Sequence, residues 1–83
     1  MPVLIMFRSL TFAQRGARVL ERAGISAFVT KAPLKTTDKG CSYCVRISEG
    51  KQWKATAALE RSGIQYGRLF RVDSDGELQE VFT

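Results

Sequence analysis

Two rhythms of apolar and polar positions run along this 83-residue chain. The stretch Val3-Leu4-Ile5-Met6-Phe7 is apolar throughout and short, which reads as a buried strand. The spacing then lengthens. Phe12, Gly16, Val19, Leu20 and Ala23 fall on one stripe of a helix, with Thr11 as its predicted N-cap and Gln14 completing a capping box. Gly24 ends that helix by supplying a left-handed residue. A strand over 26–30 follows. After a long polar loop, Tyr43, Val45 and Ile47 alternate with Cys44 and Arg46, the pattern of a half-buried strand. A second helix is predicted from near Ser48 to Gly63, with Ala55, Ala58, Leu59 and Ser62 in its stripe. A strand over 67–72, the turn Asp73-Ser74-Asp75-Gly76 and a return strand over 77–82 close the chain as a hairpin.

One six-residue phrase occurs twice. Leu20-Glu21-Arg22-Ala23-Gly24-Ile25 recurs as Leu59-Glu60-Arg61-Ser62-Gly63-Ile64, each time at the end of a helix and ahead of a strand. Two copies make a duplicated supersecondary unit, whereas a solenoid needs about three or more. The expected fold is therefore α+β: a ferredoxin-like split βαβ sandwich, βαββαβ, with a C-terminal β-hairpin extension. At this length residues 1–83 form one domain. In this reading the first and third strands are parallel central neighbours, and both helices finish at the end where the third strand begins.

Composition adds less. The chain is 45% hydrophobic and 25% charged, ordinary for a folded domain. A net charge of +5 and a pI of about 9.7 favour acidic partners without naming one. Arg15, Arg18 and Arg22 form a basic stripe on the first helix. The longest apolar run is too short to span a membrane and lacks the charged start and small-residue end of a signal peptide, so a cytoplasmic location is expected.

Chemistry concentrates in Lys39-Gly40-Cys41-Ser42-Tyr43-Cys44-Val45-Arg46-Ile47, which holds both cysteines. A Cys-x-x-Cys is half of a tetrahedral zinc site, and the chain has no histidine and no third cysteine to complete one. No metal and no cofactor are expected in a single chain, although a dimer could pool four thiolates. Nor does the pair sit at a helix start, where thioredoxin-like motifs gain their acidity. If the strand extends back to Cys41, the odd spacing puts the two sulfurs on opposite faces, too far apart to bond. Cys44 then reads as a small half-buried hydrophobe or as a second thiol.

The same stretch matches part of an RNA-recognition consensus at Lys39, Gly40 and Tyr43. The stacking positions, however, hold Cys41 and Arg46, with Leu4 on the first strand. A base-stacking platform is thus missing, and nucleic acid binding is not favoured.

Order and spacing resemble the selenium/sulfur carrier protein-like family. The resemblance rests on Val3-Leu4-Ile5-Met6-Phe7, Ala23-Gly24-Ile25, Ala32-Pro33, Cys41 and Ser62-Gly63-Ile64-Gln65-Tyr66, and covers residues 3–72. Ser42 stands where the family has glycine after its cysteine, and the second cysteine and the terminal hairpin have no counterpart. The resemblance implies a carrier in which Cys41 bears sulfur or selenium between donor and acceptor proteins. No general base is visible, since histidine is absent and Asp38 is a weak base, so the chain is not expected to be an enzyme. Helix C-termini facing Cys41 would oppose its ionisation, which leaves Lys31, Lys35 and Lys39 to stabilise the thiolate. The alternative is a non-catalytic module whose basic surface binds nucleic acid or an acidic protein.

Partner surfaces are suggested by Trp53, which projects opposite the apolar stripe of the second helix, and by Leu4 and Met6, which face the open side of the sheet. Cover for that side could come from a second copy, and a homodimer is expected.

Overall fold

The computed structural model describes residues 1–32 and 43–81. Its elements are β1 (Val3–Phe7), α1 (Leu10–Arg22), β2 (Phe28–Lys31), β3 (Tyr43–Ile47), α2 (Gln52–Arg61), β4 (Leu69–Val72) and β5 (Leu78–Val81). They form one five-stranded sheet in the order β2-β3-β1-β4-β5, the ferredoxin-like split βαβ fold with a C-terminal hairpin.

Every strand pair is antiparallel. The expected parallel pairing of the first and third strands is wrong: β1 and β3 run in opposite directions, with Val3 opposite Ile47 and Phe7 opposite Tyr43. The reason is topological. The crossover through α1 sets β2 in the direction of β1, and β3 turns back to fill the place between them. The helix ends are therefore split. The end of the sheet where β3 opens holds the start of α1 and the finish of α2, not the finish of both.

The repeated phrase has a repeated geometry. The Ile25 amide donates to the Leu20 carbonyl at 2.9 Å and the Gly24 amide to Glu21 at 3.0 Å, with Gly24 at φ +84°. The Ile64 amide donates to Leu59 at 2.9 Å and the Gly63 amide to Glu60 at 3.1 Å, with Gly63 at φ +72°. These are two copies of one helix-ending motif, and in both the leucine is fully buried and the isoleucine joins or packs against the same core.

The helix starts differ from expectation. Ser9, not Thr11, caps α1: its backbone is extended and its hydroxyl accepts the Phe12 N–H at 3.2 Å, which places Thr11 inside the first turn. The second helix begins at Gln52 because Ser48 to Lys51 form a turn first, through left-handed Gly50 and a Lys51 amide bond to the Ser48 carbonyl.

Both faces of the sheet are apolar. On the helix side Val3, Ile5, Phe7, Val45, Ile47 and Leu69 pack against Ala13, Ala17, Leu20, Ala55, Ala58 and Leu59. Gly16 lets α1 settle closely onto β1, since a Cβ there would lie 2.6 Å from the Phe7 ring tip. On the other side Leu4, Met6, Cys44, Ala32 and Phe70 form a second cluster, joined by Val72 and Leu78. Across β4 and β5, Arg68 grips Glu80 through two hydrogen bonds of 3.0 and 2.6 Å, which holds the Glu80 carboxyl below its usual range.

Candidate functional site

Strand β3 begins at Tyr43, two residues after Cys41, and the surroundings of that point are defined by its neighbours. Phe7 lies opposite Tyr43 on β1, and Lys31 lies opposite it on β2. Phe7 leads directly into Arg8 and the Ser9 cap, so the amino end of α1 sits at this edge of the sheet. The first turn of α1 has no acidic residue. Arg8 is exposed, with its guanidinium 5.5 Å from the centre of the Phe12 ring. Beside it lies a depression of about 160 Å³ lined by Arg8, Gln65, Tyr66 and Gly67. The Gly67 amide anchors that rim to the Met6 carbonyl at 2.8 Å, and the Tyr66 hydroxyl donates to Glu60 at 2.5 Å.

Of the three expected thiolate-stabilising lysines, Lys31 is placed at this end and is exposed. Cys41, Lys35 and Lys39 lie outside the described residues. Arg8 was not anticipated as a cation here. It follows from the antiparallel direction of β3, which sequence periodicity does not report.

Cys44 has left solvent entirely. It is 0% exposed on the side of the sheet away from the helices, between Leu4, Met6, Ala32 and Phe70. Burial pushes its thiol up to about 11, because a thiolate there would lose its hydration with nothing to replace it. It is a free thiol, and it acts as a core residue. Among the described residues no group of three or more acidic, histidine or cysteine side chains could hold a metal ion.

Side-chain directions on β3 also bear on the nucleic acid alternative. Tyr43 packs against the helix-side core with Val45 and Ile47, while Cys44 and Arg46 take the opposite face. Stacking aromatics are thus absent from the described open-face positions of β3.

The interface candidates divide. Trp53 is 63% exposed on α2, as its position in the helix predicts. Leu4 and Met6 are only 5% and 8% exposed within one chain. They turn away from the helices as expected, but they join the second cluster with Cys44 and Phe70, so they leave little surface for a second copy.

Fold and site together define a small ferredoxin-like α+β domain with one thiol, that of Cys44, locked inside the sheet. The chain belongs to the family described as "Putative Se/S carrier protein-like", whose model matches residues 3–71. No curated protein and no solved structure matches it. Among the described residues no helix is long and apolar enough to cross a membrane.

Proposed function

We propose that the protein is a carrier of sulfur or selenium in which Cys41 bears the transferred atom, and that it works between donor and acceptor proteins without being an enzyme. Two findings support this. The family is one of carrier-like proteins. And the burial of Cys44, with its thiol raised to about 11, removes the other cysteine as a nucleophile at neutral pH. That burial is the observation on which the choice of Cys41 depends.

The transfer is an exchange at sulfur. The Cys41 thiolate attacks the outer, sulfane sulfur of a donor persulfide. A new S–S bond forms on Cys41, the donor's S–S bond breaks, and the donor leaves as a thiolate. No net oxidation occurs. Delivery repeats the exchange, with an acceptor thiolate as the attacking group and Cys41 as the leaving one. A selenium atom held in the same oxidation state follows the same path. Because Cys44 is sealed in the core, it is poorly placed to expel the cargo by closing a disulfide, which suits a carrier that must hold its load. The carrier thiol must stay reduced between transfers, and for this reason we place the protein in the cytoplasm.

The test is the intact mass of protein incubated with a small-molecule persulfide donor, together with the pH dependence of alkylation of Cys44→Ala. One added sulfur, absent from Cys41→Ser, and an alkylation midpoint below the free-thiol value of about 8.5 are expected. A midpoint at or above that value, or sulfur that loads equally on Cys41→Ser, would overturn the assignment.

A further inference from the structure

Strand β2 is an edge of the sheet, hydrogen-bonded to β3 on one side only. Its outer row of backbone groups can pair with another extended chain. Phe28, Thr30 and Lys31 are all exposed, and Phe28 is 59% exposed, so among the described residues none covers this strand. Phe28 stands directly opposite Arg46 on β3, and the Arg46 guanidinium rests 5.6 Å from the centre of its ring. Arg46 is exposed and forms no ion pair with any described residue. Next to this pair is a cleft of about 350 Å³, whose walls include Met1, Ser26, Phe28, Arg46 and Glu49, the Glu49 carboxylate being paired with the Met1 ammonium at 3.7 Å. Met1 is itself 55% exposed.

We infer that the β2 edge, with the Met1–Phe28–Arg46 cleft, docks an extended acidic segment of a partner protein, which joins the sheet beside β2. Strand addition supplies main-chain hydrogen bonds along the edge, and alternate side chains of the added strand fall on the face that holds Phe28 and Arg46. Arg46 and Lys31 stand on opposite faces of the sheet, so carboxylates on one face of the added strand meet Arg46, carboxylates on the other meet Lys31, and one apolar side chain fits the cleft.

Charge decides between occupants. A second copy pairing here would bring its own Lys31 and Arg46 to this edge, from a chain of net charge +5, and a basic residue on an edge strand is a known guard against self-pairing. An acidic segment turns the same charges into attraction. The inference depends on the carrier reading only for what the partner does. In that reading the docked strand runs along β2, whose last residue, Lys31, lies opposite Tyr43, two residues from Cys41. Docking would then bring a donor or acceptor to the end of the sheet where β3 opens.

The probe is a fluorescein-labelled extended peptide rich in consecutive glutamates, which puts carboxylates on both faces, with one phenylalanine for the cleft. Its controls are the same peptide with lysine for glutamate and one interrupted by proline. Binding is read by anisotropy and by amide shifts in 15N spectra. The acidic peptide is expected to bind, to weaken as salt rises and to shift the amides of 28–31, while both controls fail. Arg46→Glu and Lys31→Glu, both at exposed positions, should each weaken it about tenfold or more. The inference falls if the lysine peptide binds equally well, if 28–31 do not respond, or if those amides shift with protein concentration alone, which would give the edge to a second copy. Loading of Cys41 by a small-molecule persulfide needs no docking. If loading succeeds without peptide binding, only this inference is overturned; if the peptide binds and Cys41 never loads, the docking edge stands and the carrier reading falls.

Discussion

Cys44 sets a quantitative limit on which thiol can react, and Cys41→Ser exposes it. With its thiol raised to about 11, Cys44 at pH 7.5 is ionised to roughly 3 parts in 10,000, against about 9% for a free thiol near 8.5. That is a deficit of about 300-fold. The more basic thiolate is intrinsically the better nucleophile, and a Brønsted slope near 0.4–0.5 returns about tenfold of the loss. Ionisation alone therefore slows alkylation about 30-fold. Steric exclusion goes further, because at 0% exposure a reagent must wait for the sheet to open. If opening costs about 5 kcal/mol, the lower bound for a small domain, that route is slowed several thousand-fold. Iodoacetamide trapping of Cys41→Ser, followed by mass spectrometry, should thus show a rate at least about 30-fold below that of a free thiol, and guanidinium should abolish the protection. Labelling within tenfold of the free-thiol rate would mean that Cys44 is accessible, and the choice of Cys41 by elimination would fail.

Two other outcomes follow from the packing. Gly16→Ala gains about 1 kcal/mol of helix propensity but sets a methyl group 2.6 Å from a ring atom of Phe7, which is only 3% exposed; overpacking of this kind costs about 1–3 kcal/mol, so urea denaturation should show a net loss, and the sign should reverse in a Phe7→Leu background. A stabilised single variant would refute the close approach of α1 to β1. The second concerns pH. Because the folded protein holds the Cys44 proton more tightly than the unfolded chain does, its contribution to stability is complete below about pH 8.5 and is lost as pH rises through 11; the advantage of wild type over Cys44→Ala should shrink by about 2.5 kcal/mol between pH 8 and 10.5, and a gap that stays constant would show that the thiol is not desolvated.

Much of the fold could be read from local pattern, because local pattern causes it. The continuous apolar run made β1 residue for residue, and the repeated Leu-Glu-Arg-x-Gly-Ile phrase marked both helix ends through the left-handed glycines. The starts were less legible. Ser9 and Thr11 are both competent caps, and the choice turns on where the chain leaves β1. Gly50 inserts a turn that polar composition alone does not distinguish from a first helical turn. The apolar stripe of α1 also rotated: its buried centre is Ala13, Gly16, Ala17 and Leu20, while Phe12 and Val19 lie at its margins. Small residues won the centre because the bulk there comes from β1, through the Phe7 ring.

Sequence periodicity does not report strand direction, and where β3 opens the consequence is electrostatic. With β1 and β3 parallel, two helix C-termini would have faced the opening of β3 and opposed ionisation of a thiol there. In the antiparallel sheet that end receives the amino end of α1 and the carboxyl end of α2, so the two dipoles work against each other. Each is worth about 0.3–1 kcal/mol at an exposed site, well under one pKa unit, and the sum is close to nothing. The helices neither hinder nor activate. What remains are full charges, Lys31 opposite Tyr43 and Arg8 after Phe7, on the two strands that pair with β3 where it opens. A cation within about 4–6 Å can lower an acid by one unit or more, a larger effect than either helix can exert. The antiparallel sheet therefore leaves no net dipole for the lysines to overcome, and adds Arg8 to the charges that could act on a thiolate at that end.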